Sequence, residues 1–176
     1  VNEDADPPTA GRVRPLVITG GPAAGKTTCG RRLAEQRDRA AYVDADDIRQ
    51  LVVAGAATLW SGPEGEAQAA LGARHCSLLA RSFSAAGFAV VISDVLTPAT
   101  LEVYRRELPD CLVVALRISF GEARRRAATR PVHLTDDEFA WLHALTARPL
   151  EVDAVLPVDG LSVDDQVAEL RRLWSG

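Results

Sequence analysis

Short apolar runs alternate with segments of helical period along this chain. Leu16-Val17-Ile18-Thr19 is a continuous apolar, partly β-branched run that breaks at Gly20-Gly21-Pro22, the pattern of a buried strand entering a turn. A helix is predicted over residues 25–36, then a second strand at Ala41-Tyr42-Val43. Asp46-Asp47 open a further helix, since acids favour the first turn, and it carries Ile48, Leu51 and Val52 to an end near Gly55. Residues 60–65 read as a loop around Gly62-Pro63. Residues 66–86 read as a long helix with Leu71, Leu78, Leu79 and Phe83 at helical spacing and Gly87 as its stop. A strand over 88–92, a helix over 98–108, a strand over 111–118 and a strongly basic helix over 121–130 follow. Thr135 to Glu138 cap a helix through Leu145, and a last strand at 153–158 leads into an amphipathic helix over 162–174.

Five strands separated by helices imply a parallel sheet covered on both faces. With no repeat, low-complexity tract or linker, residues 15–176 are expected to form one three-layer α/β/α domain. Residues 1–14, polar and proline-bearing, read as a flexible lead-in rather than a signal peptide.

Composition narrows the partners. The apolar fraction of 47% and charged fraction of 25% are those of an ordinary globular chain. A net charge of -4 argues against nucleic acid, whose phosphates call for a basic face. Three widely spaced cysteines, Cys29, Cys76 and Cys111, form no CxxC pair. They point to reduced thiols and a cytoplasmic protein, not a disulfide framework or zinc site. No apolar run is long enough to span a membrane. Lys26 is the only lysine in an arginine- and alanine-rich chain. That usage fits a GC-rich genome, and the one lysine retained stands where a flexible ammonium does what a guanidinium fork does not.

Gly20-Gly21-Pro22-Ala23-Ala24-Gly25-Lys26-Thr27 matches G-x-x-x-x-G-K-[ST], placed after a predicted strand and before a predicted helix. Glycines let the backbone turn tightly beside phosphates, and inward N–H groups with a helix N-terminus bind the anion. Lys26 is expected on the β- and γ-phosphates, Thr27 on Mg²⁺, and Thr28 beside them in the nucleotide site. Such a loop indicates nucleotide phosphates and leaves the reaction open. Asp44, Asp46 and Arg49 follow the second strand on the same rim of the sheet. A carboxylate there can take a proton from an acceptor hydroxyl, and an arginine one turn on can hold an oxyanion. The same residues would also suit a plain helix start. Asp94 ends an apolar strand, and Arg126 and Arg130 share one helix face at i,i+4 spacing.

The P-loop followed by Asp46-Asp47-Ile48-Arg49 resembles the polynucleotide-kinase-like and chloramphenicol-phosphotransferase-like P-loop kinases. The resemblance implies a fold like that of nucleoside-monophosphate kinases, with a short lid around 121–136. It implies Asp46 as catalytic base, with Asp44 the competing choice, and Arg49 near the acceptor. It makes Asp94 a Walker B-like residue that holds the magnesium shell or orients the acceptor. Arg126 and Arg130 become lid clamps on the phosphates, and residues 156–160 lie beside the adenine. Within the acceptor region, residues 59–75, Trp60, Arg74 and His75 are candidates; His133 and His143 are read as structural. The implied activity is phosphoryl transfer from ATP, or alternatively GTP, to a hydroxyl of an antibiotic, nucleoside, sugar or related metabolite, with antibiotic self-resistance as one setting. A nucleoside or nucleotide kinase and a 5′-hydroxyl polynucleotide kinase are the enzymatic alternatives, and a nucleotide-binding regulator the non-enzymatic one.

Overall fold

The first apolar run forms β1 (Leu16–Gly20), every residue of which is buried. The computed structural model describes residues 13–58, 61–129 and 134–175. Side chains along a strand alternate between its faces. Leu16 and Ile18 accordingly pack with Leu33, Leu170 and Trp174 on one side of the sheet. Val17 packs with Ala73, Cys76 and Tyr104 on the other. A strand covered on both faces has no polar side to show, which is why the run is apolar throughout.

After β1 come α1 (Lys26–Glu35), β2 (Ala40–Asp44), α2 (Ala45–Arg49), α3 (Gly62–Ala85), β3 (Ala89–Ser93) and α4 (Pro98–Glu107). The chain continues through β4 (Leu112–Arg117), α5 (Phe120–Ala127), α6 (Asp136–Thr146), β5 (Ala154–Pro157) and α7 (Val163–Ser175). The strands form one parallel sheet in the order β2-β3-β1-β4-β5. Val17 of β1 stands opposite Ile92 of β3 and Val113 of β4. The chain therefore winds to one side of β1 and then to the other, which opens a ligand crevice at the carboxyl ends of the central strands. No helix among the described residues is long and apolar enough to cross a membrane.

Helix starts follow their local chemistry. Thr97 and Thr100 form a reciprocal capping box on α4, as Thr135 and Glu138 do on α6. Two boundaries differ most from the sequence expectation. The helix opened by Asp46 stops at Arg49 instead of near Gly55. Its last turn tightens into Leu51 N–H to Ile48 and Val52 N–H to Arg49 bonds. Leu51 and Val53, 72% and 96% exposed, find no core that would support another turn. Conversely, Gly62 to Gly65 belong to α3, with Pro63 tolerated in the first turn, where its missing N–H costs nothing. Trp60, also assigned to that loop, lies outside the described residues.

Candidate active site

The turn after β1 carries the phosphate motif on a strained backbone. Gly20 and Gly25 have φ of 145° and 104°, and Ala23 takes φ 59° without being glycine. A Cβ on Gly20 would meet the Leu116 carbonyl oxygen at 2.5 Å, so no side chain fits there. Such outliers persist where the surroundings hold them in place. Pro22 is half-buried and Ala24 buried in the loop, and α1 starts at Lys26, so the helix N-terminus follows directly on the loop. Lys26 Nζ donates to the carbonyls of Gly20 at 2.8 Å and Gly21 at 3.1 Å, spanning its own loop. Thr28 sits half-buried one residue beyond the exposed Thr27.

Asp44 is the carboxylate that meets this loop. Thr27 Oγ1 donates to its Oδ2 at 3.2 Å and the Tyr42 hydroxyl to the same oxygen at 2.9 Å. Its Oδ1 accepts the Asp46 backbone N–H, capping α2. Burial, with the Asp44 charge adding to it, pushes the Tyr42 hydroxyl up to about 12, so it remains a donor at neutral pH. The Thr27 hydroxyl and Asp44 carboxylate form a pair of hard oxygen donors of the kind that Mg²⁺ takes. The residues present therefore fit that ion. Sequence reasoning placed Asp44 only as a rival base; its position at the end of a strand, opposite Ser93, was the available signal.

Asp46 and Arg49, on α2, line a cleft of about 600 Å³ together with Ile48, Gln68, Leu71 and His75. The structure thus brings Asp46 and Arg49 together with His75, while Arg74 is exposed and is not among the lining residues. Arg49 donates from Nη2 to Asp46 at 2.7 Å and from Nη1 to Asp94 at 2.9 Å. Its side chain is 10% exposed, and its Nε is buried without a hydrogen-bond partner.

Asp94, expected to hold the magnesium shell or orient the acceptor, is enclosed in the structure. Its side chain is 1% exposed, and its oxygens accept from Arg49, from the Val95 N–H and from the Tyr104 hydroxyl at 2.9 Å. Nothing links it to Thr27; the carboxylate at that hydroxyl is Asp44. Burial pushes the Asp94 carboxyl above the ordinary value, while the Arg49 guanidinium pulls it back. A carboxylate so enclosed cannot also face an ion at the loop without giving up these bonds.

Across the crevice, Arg126 is turned toward the β5–α7 connection. Its guanidinium donates to the Val158 carbonyl at 2.6 Å, the Leu161 carbonyl at 3.2 Å and Glu122 at 2.7 Å. Arg125 and then Arg126 hold Glu122 down at about 2. Asp159 in the same connection binds the Ser119 N–H, tying residues 156–160 to the start of α5. Arg130 and His133 lie outside the described residues. His143 accepts a structural role, with Nε2 at 3.0 Å from the Ile118 carbonyl and its ring edge-on to Phe120. One feature escaped the sequence: α6 lies against the loop, so that a Cβ on Gly21 would stand 2.8 Å from Thr146 Oγ1. The three cysteines are free and buried, and burial pushes the thiols of Cys29 and Cys76 up to about 11 and 12.

Neither a protein-family model nor a curated protein matches the sequence. Solved structures do. A sugar kinase from Janibacter sp. HTCC2649 superposes with a TM-score of 0.70 at 19% identity, over 93% of this chain and 94% of that one. Mycobacterium tuberculosis APS kinase CysC, in complex with AMPPNP and APS, gives 0.65 at 23% identity over 94% and 99%. Shikimate kinase from Acinetobacter baumannii, in complex with shikimate, gives 0.62 at 22% identity over 92% and 93%. The chain has the fold of the P-loop kinases. In that fold Lys26, Thr27, Asp44 and Asp46 stand on one rim, at the carboxyl ends of β1 and β2. These neighbours support a P-loop kinase fold and not the narrower likeness to chloramphenicol phosphotransferases.

Proposed function

We propose that this chain is an ATP- and Mg²⁺-dependent kinase that transfers the γ-phosphoryl group to a hydroxyl of a small molecule. The observation that carries the reading is the junction of phosphate loop and acid pair. Thr27 meets Asp44, and two residues on Asp46 opens onto a cleft large enough for a metabolite. Bound Mg²⁺, held by Thr27 with Asp44 near it, supplies charge neutralisation at the β- and γ-phosphates. Lys26 exchanges its two loop carbonyls for phosphate oxygens. Asp46 orients the acceptor hydroxyl and takes its proton as the new O–P bond forms. Asp44 is engaged by Thr27, Tyr42 and the Asp46 N–H, which favours Asp46 as the base. Arg126 supports the adenine side, since it is anchored on residues 158 and 161.

The structural neighbours include kinases of sugar, APS and shikimate by name, which supports a small hydroxylated acceptor in the cytoplasm, where ATP is supplied. An antibiotic is the narrower candidate, supported by residues 46–49 and the composition. The test is a mass-spectrometric screen of antibiotics, nucleosides, sugars, small hydroxy acids and a 5′-hydroxyl oligonucleotide, with ATP or GTP and Mg²⁺. A product heavier by one phosphoryl group that disappears in Lys26→Ala establishes the activity. Tight ATP binding with no transfer across the panel would favour a nucleotide-binding regulator instead.

A further inference from the structure

Arg49 is costly for a residue of a five-residue helix. It is a guanidinium drawn nine-tenths out of water and shared between two carboxylates. A buried ion pair is a poor device for stability alone, because apolar residues of similar shape usually hold a fold as well. Both terminal nitrogens are already engaged, Nη1 by Asp94 and Nη2 by Asp46. Asp94 in turn is fixed by two rigid elements, the turn after β3 through the Val95 N–H and α4 through the fully buried Tyr104. Room for the arginine stem is made by Gly72 of α3, where a Cβ would come within 3.0 Å of Arg49 Cγ. Asp46 is the exposed end of this chain of contacts. Its side chain is 70% exposed, and the helix that carries it is followed by a loop with Val53 wholly in solvent. Left alone, such a carboxylate samples several staggered rotamers.

We propose that Arg49 is a positioning residue: anchored by Asp94 and Tyr104, it holds the Asp46 carboxylate in one orientation and does not itself clamp the acceptor. The inference rests on Asp46 being the base in the reading above. Tyr104 donates to Asp94, Asp94 accepts from Arg49, and Arg49 donates to Asp46, so a rigid interior fixes an exposed oxygen. The acceptor then meets a carboxylate whose orientation has been set before binding. Misplacing a reacting group by about 1 Å costs on the order of a hundredfold in rate.

The experiment compares Arg49→Met/Asp94→Asn, which removes both charges but keeps acceptor oxygen for Tyr104 and Val95, with Tyr104→Phe and with Asp46→Asn. Two readouts are taken: turnover of ATP–Mg²⁺ with water as acceptor, and the position of Asp46 in crystals. For the double variant the expected result is a fall in kcat of roughly ten- to a hundredfold, a KM for ATP within about twofold of wild type, and an Asp46 side chain spread over several rotamers. Tyr104→Phe should give a smaller kcat loss in the same direction. A double variant with wild-type kcat and Asp46 in its original place overturns the positioning role. Should that protein fail to fold, Tyr104→Phe decides. A lowered unfolding midpoint with unchanged kcat marks a merely structural anchor, whereas a kcat loss supports the proposal. Wild-type turnover in Asp46→Asn would sink the choice of base itself, and with it the inference. Loss in Asp46→Asn with retention in the double variant sinks the inference alone.

Discussion

Replacing Gly72 by alanine pits two effects of known sign against each other. Gly72 lies inside α3, where glycine to alanine gains about 1 kcal/mol from helix propensity. The new Cβ, however, would stand 3.0 Å from Arg49 Cγ, 3.5 Å from Cδ and 3.7 Å from Nη1. Unstrained carbon contacts lie near 3.5–4.0 Å, so the arginine stem must withdraw by several tenths of an ångström. Its guanidinium is held at both terminal nitrogens, at 2.9 Å by Asp94 and 2.7 Å by Asp46. A hydrogen bond to a charged group contributes roughly 1.5–3 kcal/mol, and misalignment forfeits part of that. The expected net change is therefore between zero and about 1 kcal/mol of destabilisation, in place of the propensity gain. Gly121→Ala is the control, because nothing lies within 4 Å of a Cβ there; it should stabilise by a few tenths of a kcal/mol to about 1 kcal/mol. Urea unfolding followed by far-UV circular dichroism reads both. If Gly72→Ala stabilises as much as Gly121→Ala, Arg49 has room to spare and the close-packing argument fails.

Lys26→Ala should retain its circular dichroism spectrum while ATP–Mg²⁺ turnover falls by roughly a hundredfold or more, since the only lysine is the residue expected on the transferring phosphate; calorimetric titration with ATP–Mg²⁺ gives the accompanying loss of affinity. Leu170→Ala empties a wholly buried position between α7 and the sheet and should cost about 2–5 kcal/mol, seen as a lower urea midpoint with an unchanged slope. The chain has two tyrosines, and burial raises the hydroxyl of each, Tyr42 to about 12 and Tyr104 well above its ordinary value. A raised folded value means that stability from the protonated hydroxyls is complete below about pH 10 and is lost as pH rises toward 12; ultraviolet titration of the native protein should show no tyrosinate near pH 10, and its appearance there would contradict the burial.

The strands and the phosphate loop were legible because their signals are local. A run apolar on both faces can only be a covered strand, and the loop's glycines, lysine and threonine fall within eight consecutive positions. The ends of α2 and α3 were not, because Leu51 and Val53 look like helix residues until no core is found to receive them. Asp94 shows the same limit at the site. Its place at the end of an apolar strand was readable, but the side to which its carboxylate turns was not. That is settled by Arg49, 45 residues earlier, and by Tyr104 on the next helix. Arg126 likewise reads as a basic lid residue, while its actual direction depends on carbonyls 32 and 35 residues further on.

In the proposed mechanism Asp44 and Asp46 divide their work because one ends a strand and the other stands in the first turn of a helix. Asp44 belongs to β2, in register with Ser93, so its position follows the sheet and cannot drift. From there Oδ2 reaches the Thr27 hydroxyl and Oδ1 caps the Asp46 N–H. The same side chain thus fixes the backbone of Asp46 relative to the phosphate loop. What the cap leaves free is the Asp46 side chain itself, and the backbone can do nothing about its rotamer. Only a second contact can set it, and the residue available one turn later on the same face is Arg49. A solvent-exposed arginine would hold it weakly, since surface ion pairs contribute little. Burying the arginine against Asp94 makes that contact rigid at the cost of desolvating two charges. On the proposed positioning role, the depth of the Arg49–Asp94 pair follows from what it does at the exposed Asp46.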